Sequence, residues 1–162
     1  MFKKILVPLD GSELAAKILP QVEDLAMSEQ AEIMLLTVGN ISGVAHLAET
    51  NPSLVDSAIG ALKNAAEEYL TTVVTGMKEK GLKVNWIYRE GLPAQEIIQY
   101  AAEESCDLIA MATHGRGEVA WVLGSVAEKI VSHATVPVLL MRVIGAQPLM
   151  EKSELRESWG AE

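Results

Sequence analysis

Residues 108–117 read Leu108-Ile109-Ala110-Met111-Ala112-Thr113-His114-Gly115-Arg116-Gly117. Five apolar residues run without a break into a polar, glycine-rich loop, and Gly124-Ser125 then opens a helical pattern that continues to Ala134. An unbroken apolar run of this length suits a parallel strand covered on both faces, because such a strand has no solvent side on which to place polar residues. A glycine-rich loop between that strand and a helix marks the carboxyl edge of an open α/β sheet, which is where such sheets bind ligands.

The same alternation extends through the chain in both directions. Strands are predicted over residues 3–9, 32–38, 82–89, 107–112 and 136–143. Between the first two, Leu14, Ile18, Val22 and Leu25 mark one face of a helix over Ser12 to Glu29, in which Pro20 should bend or break the hydrogen-bond ladder. Residues 39–52 hold Gly, Ser and Asn and read as a loop. Val55, Ile59, Leu62, Ala66, Tyr69, Val73 and Met77 then recur at three- and four-residue steps. Ser53 with Asp56 predicts a capping box at the start of that helix, and Gly81 predicts its stop. Pro93 opens a further helix that runs to about Glu104. Strands alternating with helices in this way join into parallel strands through right-handed crossovers, with helices on both faces of the sheet.

Composition bounds the function. A chain of 162 residues with 49% hydrophobic side chains is expected to form one domain with a substantial core. From Gly145 onward the sequence turns charged, so a folded unit over residues 1–144 and an extension over 145–162 are expected. Within that extension Leu155 and Trp159 are four residues apart, which fits either a short docked helix or a solvated tail. The formal net charge of -9 disfavours nucleic acid as a partner. No apolar stretch has membrane-spanning length, and the apolar run ahead of Asp10 is too short for a signal peptide. The single cysteine, Cys106, cannot form an intrachain disulfide and reads as a buried, inert thiol, which favours a reducing, cytoplasmic setting.

Two loops stand out as candidates for chemistry: Pro8-Leu9-Asp10-Gly11-Ser12 after the first strand, and the glycine loop after the fourth. Gly115, Gly117 and Gly124 let backbone N–H groups approach an anion, and the helix starting at Ser125 adds unpaired donors and the positive end of its dipole. A phosphate chain fits there, with His114 beside it. The plainer alternative is that the glycines serve turns and that Ser125 with Glu128 forms an ordinary capping box. Asp10 can accept from a ribose hydroxyl or help hold a metal on phosphates; equally, it can cap the first helix with Glu13.

Other chemistries find less support. There is no Gly-x-x-x-x-Gly-Lys-Ser/Thr. Residues Gly115 to Ala120 match Gly-x-Gly-x-x-Gly/Ala, but no helix follows at once and the ribose-binding acid about 20 residues on is missing. His46, His114 and His133 lack metal-ligand spacing, so no protein-held metal is expected. No Ser–His–Asp order or carboxylate pair suggests a catalytic residue. Trp86, Trp121 and Trp159 read as packing or interface residues.

Ile5-Leu6-Val7-Pro8-Leu9-Asp10-Gly11-Ser12-Glu13, Met111-Ala112-Thr113-His114-Gly115-Arg116 and Gly124-Ser125-Val126-Ala127-Glu128-Lys129 together resemble the universal stress protein family, and Val136-Pro137-Val138-Leu139-Leu140 resembles its last strand. The resemblance covers roughly residues 1–143. It implies a Rossmann-like α/β fold: an open five-stranded parallel sheet in the order 3-2-1-4-5, with the loops after strands 1 and 4 side by side. The residue pattern alone does not choose that order over a flavodoxin-like one. The resemblance also implies ATP as ligand, with Mg²⁺ or Mn²⁺. Pro8, Asp10 and Val38 would line the adenosine pocket; Met111, Ala112, His114, Gly115, Gly124, Ser125 and Val126 would meet the adenine edge or the phosphates.

ATP-binding members carry Gly-x2-Gly-x9-Gly-Ser/Thr. Here Ala112 takes the place of the first glycine, and eight residues separate Gly115 from Gly124. Three readings follow. The first is an adenine-nucleotide-binding regulatory module in the stress response, homodimeric, with slow ATP hydrolysis at most. The second, favoured by Ala112 and the shortened loop, is a member that binds no nucleotide and acts as a protein-interaction dimer. The third, a true ATP-using enzyme, is disfavoured by the lack of an evident base near the glycines. The homodimer is expected through the strand Val136 to Val143, because Pro137 points to a sheet edge and an apolar edge strand is a pairing hazard in a monomer.

Overall fold

The computed structural model describes residues 1–40, 51–113 and 123–142. Ten elements follow one another: β1 (Lys4–Pro8), α1 (Glu13–Ala16), α2 (Leu19–Glu29), β2 (Glu32–Gly39), α3 (Pro52–Glu79), β3 (Lys83–Glu90), α4 (Pro93–Glu103), β4 (Leu108–Ala112), α5 (Ser125–His133) and β5 (Val138–Met141). The strands form one parallel sheet in the order β3-β2-β1-β4-β5. The first three strands build outward from β1 in one direction and the last two in the other. The sheet therefore reverses between β1 and β4, and their carboxyl ends flank a crevice.

Side-chain alternation along the strands divides the core into two layers. Ile5, Val7, Ile33, Leu35 and Val84 face Val22 of α2 and Leu70, Val74 and Met77 of α3. Leu6, Leu36, Ile109 and Met111 face Ala94, Ile97 and Tyr100 of α4 and Ala127 and Ile130 of α5. Every residue of β4 is buried, as its unbroken apolar run requires.

Local chemistry sets several boundaries. The predicted helix over Ser12 to Glu29 is two helices: α1 ends at Ala16, and α2 restarts at Leu19 with Pro20 in its first turn, where a missing N–H costs nothing. The capping box expected from Ser53 and Asp56 does not form. Pro52 supplies the helical φ one residue earlier, Asn51 takes the cap position, and Ser53 lies inside α3. The stop at Gly81 is confirmed: its φ of +83° is the left-handed conformation that ends a helix, and Leu82 N–H returns to the Met77 carbonyl at 3.3 Å. Strand β5 is shorter than the expected residues 136–143. It starts after Pro137, which still accepts through its carbonyl from Ile109 N–H at 3.0 Å. Val143 and the expected extension over residues 145–162 lie outside the described residues.

Helix α3 is long for this sheet. Its 28 residues extend about 42 Å at 1.5 Å per residue, against about 26 Å for an eight-residue strand such as β2. Its C-terminal half supplies the core residues Leu70, Val74 and Met77, whereas most of residues 52–65 are exposed. A crossover helix runs antiparallel to its strands, so the N-terminal half of α3 overhangs the carboxyl edge of the sheet and walls the crevice there.

Candidate functional site

The crevice is a cleft of about 790 Å³ along the carboxyl edge. Its floor is the end of β1 and the following loop, Thr37 to Asn40 at the end of β2, and Met111 to Thr113 at the end of β4. The first turn of α5 and Leu62, Ala65, Ala66 and Tyr69 of the α3 overhang complete its lining. Of the residues expected to bind nucleotide, Pro8, Asp10, Val38, Met111, Ala112, Gly124, Ser125 and Val126 all line this one cleft. His114, Gly115 and Gly117 lie outside the described residues, as do His46, Trp121 and Trp159.

The α5 end is built to offer donors. Gly124 is the cap residue, in extended conformation with φ -58° and ψ 145°, and no side chain caps the helix. Ser125 is already helical, so the capping box expected from Ser125 and Glu128 does not form; Glu128 N–H instead donates to the Gly124 carbonyl at 2.9 Å. Gly124 N–H donates to the Thr113 carbonyl at 3.1 Å, which draws the neck of the glycine loop together and aims the first turn of α5 at the cleft. First-turn N–H groups have no partner within their own helix, and the dipole adds partial positive charge. None of the described residues lining the cleft is Lys or Arg. Among these residues an anion would therefore meet backbone donors rather than side-chain cations.

Asp10 is not the cap of the first helix. Ser12 is: its hydroxyl accepts from Ala15 N–H at 3.1 Å. Asp10 Oδ1 in turn accepts from Ser12 N–H at 3.0 Å and from the Ser12 hydroxyl at 2.6 Å, in a turn made possible by Gly11 at φ +78°. The carboxylate thus steadies the cap while standing at the mouth of the cleft. Thr37 pins the same loop from β2, donating to the Leu9 carbonyl at 2.8 Å.

Two further side chains, Tyr69 and Tyr88, also line the cleft. Tyr69 fits the apolar stripe of α3, and Tyr88 follows Val84 and Trp86 on the face of β3 that packs under α3. Both phenol oxygens are buried and, among the described residues, have no hydrogen-bond partner. Burial holds both pKa values above the ordinary phenol range; the Asp10 carboxylate adds to this for Tyr69, and Glu90 and Glu67 for Tyr88. Gly39 makes room for Tyr88, because a Cβ at that position would run into its hydroxyl and ring. No sequence signal marks this relation: Tyr88 pairs with Thr37, two residues before the glycine that ends β2, and only the sheet register brings them together.

No group of three or more His, Cys, Asp or Glu among the described residues is placed to hold a metal ion. No helix among them is long and apolar enough to cross a membrane. Cys106 is buried and its thiol pKa is pushed up by that burial, as expected of an inert thiol.

Residues 1–142 match the model of the universal stress protein family. The universal stress protein YxiE of Bacillus subtilis is 33% identical over 151 residues, covering 88% of this chain and all of that one. The solved structure of the protein MJ0577, known from Methanocaldococcus jannaschii, superposes with a TM-score of 0.79 at 28% identity, covering 90% of this chain and 99% of that one. A family protein from Arabidopsis thaliana, solved with AMP bound, shares the fold with a TM-score of 0.62 at 19% identity, over 91% of this chain and 96% of that one. With the family model spanning the whole described fold and the sheet order matching, this chain belongs to the universal stress protein family.

Proposed function

We propose that this protein is an adenine-nucleotide-binding regulatory module that takes ATP with Mg²⁺ or Mn²⁺ and works as a cytoplasmic homodimer. The observation that carries the reading is the first turn of α5, without a side-chain cap and opening into the cleft at the point where the strand order reverses. The phosphates belong there, met by N–H groups of Ser125, Val126 and Ala127. Residues Pro8, Val38 and Met111 offer apolar contact to the nucleoside, and Asp10 offers an acceptor to a ribose hydroxyl. His114, Gly115 and Gly117 belong to the same phosphate loop by sequence. The divalent cation arrives on the nucleotide, ligated by phosphate oxygens. A family member of the same fold with AMP bound agrees with the class of ligand. The reading assigns no catalytic residue and at most slow hydrolysis. It takes residues 1–144 as the binding unit and residues 145–162 as an extension.

Calorimetry with ATP and Mg²⁺ on the purified protein tests this. Binding is expected, and Gly124→Asp should abolish it by placing a negative charge where the phosphates sit. The same change puts a favoured cap residue on α5, so folding should be retained or strengthened. Absence of heat at millimolar ATP would favour the second reading, an interaction dimer without nucleotide, which Ala112 and the eight-residue spacing from Gly115 to Gly124 support.

A further inference from the structure

A second concavity lies on the α4 side of the sheet, a groove of about 430 Å³ between α4 and α5 that shares no lining residue with the cleft. Buried Ala94 and half-buried Ile98 give it an apolar floor, and the exposed side chains of Gln95, Gln99, Lys129 and His133 rim it. Among the described residues no acid lines the groove, and Lys129 makes no ion pair. His133 Nδ1 donates to the Lys129 carbonyl at 2.9 Å, which leaves Nε2 for another partner. The groove therefore offers an apolar seat with cationic and polar groups around it. We propose that the C-terminal segment of this same chain, residues 151–162, docks there through Leu155 and Trp159.

Reach, charge and pattern agree on this occupant. The described fold ends at Arg142, directly after β5. Strand β5 packs beneath α5, since Val138 and Leu140 join the cluster of Ala127 and Ile130. The route from its end to the groove is at most the length of α5, nine residues, plus one helix diameter, about 25 Å in all. Leu155 lies 13 residues beyond Arg142, a tether that spans up to about 43 Å. Glu151, Leu155, Trp159 and Glu162 recur at steps of four, four and three residues. A helical turn presents them on one face, with two apolar anchors between two acids. The anchors suit Ala94 and Ile98, and the acids suit Lys129 and His133. Gln99 donates through its amide nitrogen to Glu103 at 2.7 Å, so its amide oxygen is available to accept from the indole N–H of Trp159. Because the segment is tethered, its effective concentration is about millimolar, and a small contact suffices to hold it. The contact leaves the β5 edge open and does not depend on nucleotide.

Methyl NMR of the full chain, labelled at isoleucine and leucine, reads the groove through Ile98. An indole seated over Ile98 displaces its methyl resonance upfield by the ring current. Trp159→Ser should remove that displacement and leave the methyls of Ile5, Ile33 and Ile109 in place, which also shows that the core is intact. Lys129→Glu reverses the charge at the rim and should lower the ratio of docked to free segment about 2- to 5-fold, as for an exposed ion pair, with a partial loss of the displacement. An Ile98 resonance identical in wild type and Trp159→Ser would overturn the proposal. So would a Trp159→Ser effect centred on Leu139, which would seat the segment on β5 instead. A displacement that fades on dilution would overturn it as well, because the occupant would then come from another copy. An Ile98 resonance unmoved by Lys129→Glu would overturn the charge pairing on which the seating rests.

Discussion

The hydroxyl of Thr37, at the end of β2, donates a 2.8 Å hydrogen bond to the carbonyl of Leu9, in the loop that follows β1. Both residues are buried, and the bond fixes the loop carrying Asp10 against the neighbouring strand. Thr37→Val keeps the branched shape and removes the donor, leaving the Leu9 carbonyl without it. The expected cost is about 1–3 kcal/mol of unfolding free energy, measured in urea. Thr37→Ser retains the hydroxyl and should lose clearly less. A Val variant as stable as wild type would show that the bond contributes nothing net.

Gly39→Ala should be destabilising through one identifiable neighbour. Its Cβ would collide with the Tyr88 hydroxyl and ring, so Tyr88 must leave its place. Overpacking of this kind costs about 1–3 kcal/mol. In a Tyr88→Ala background the same change should cost much less, and a double-mutant cycle measures the difference. Equal cost in both backgrounds would place the strain elsewhere.

Acid unfolding should report on Asp107, just ahead of β4. Its Oδ2 accepts from the backbone N–H groups of Lys3 and Lys4 at 2.6 and 2.8 Å, and these bonds hold its pKa below the ordinary 3.8. A carboxyl with a depressed native pKa adds stability that is complete above its unfolded pKa and lost as pH falls through the native one. Asp107→Asn keeps an acceptor oxygen without the charge. It should therefore lower stability at pH 7 and converge with wild type near pH 2, as measured by denaturant midpoints across pH. A constant gap over that range would mean that the charge is not the cause.

Among the described strands β5 is one of the two sheet edges, paired with β4, and Leu139 at its centre is 39% exposed. An exposed apolar edge is a template for another strand, and a twofold copy of β5 satisfies it through an isologous contact. Light scattering should give a dimer for the full chain and for a chain ending at Gly145, with Leu139→Lys weakening both. A full-length monomer that dimerises only on truncation would show that the tail covers the edge.

The alternation of apolar runs and helical stripes made the element order legible, and Pro20 and Gly81 announced the break and the stop that the structure shows. The sheet order was not legible from periodicity, because a stripe says which face is buried and not which strand lies alongside; the motif residues supplied it. Caps failed for a physical reason. Ser53 and Ser125 each have the right partner three residues on, but Asn51 and Gly124 hold the cap positions, so both serines are already helical. Tyr69 was legible only as core, since its place in the α3 stripe is the same whether its oxygen ends in packing or in a cleft. Tyr88 and Gly39 act across two strands, and that relation exists only once the register Thr37 to Tyr88 is known.

The overhang of α3 has a dynamic consequence. Its residues from Tyr69 to Met77 share the main core, so their amides should exchange with solvent only when the whole domain unfolds. Residues 56–65 are mostly exposed and lie beyond the strands, so their amides should exchange by local fraying, at rates insensitive to mutations that change global stability. The two halves of one continuous helix would then belong to different cooperative units, with the boundary near Tyr69. Amide exchange read by mass spectrometry would show that boundary, and a ligand seated under the overhang would erase it by slowing the outer half alone.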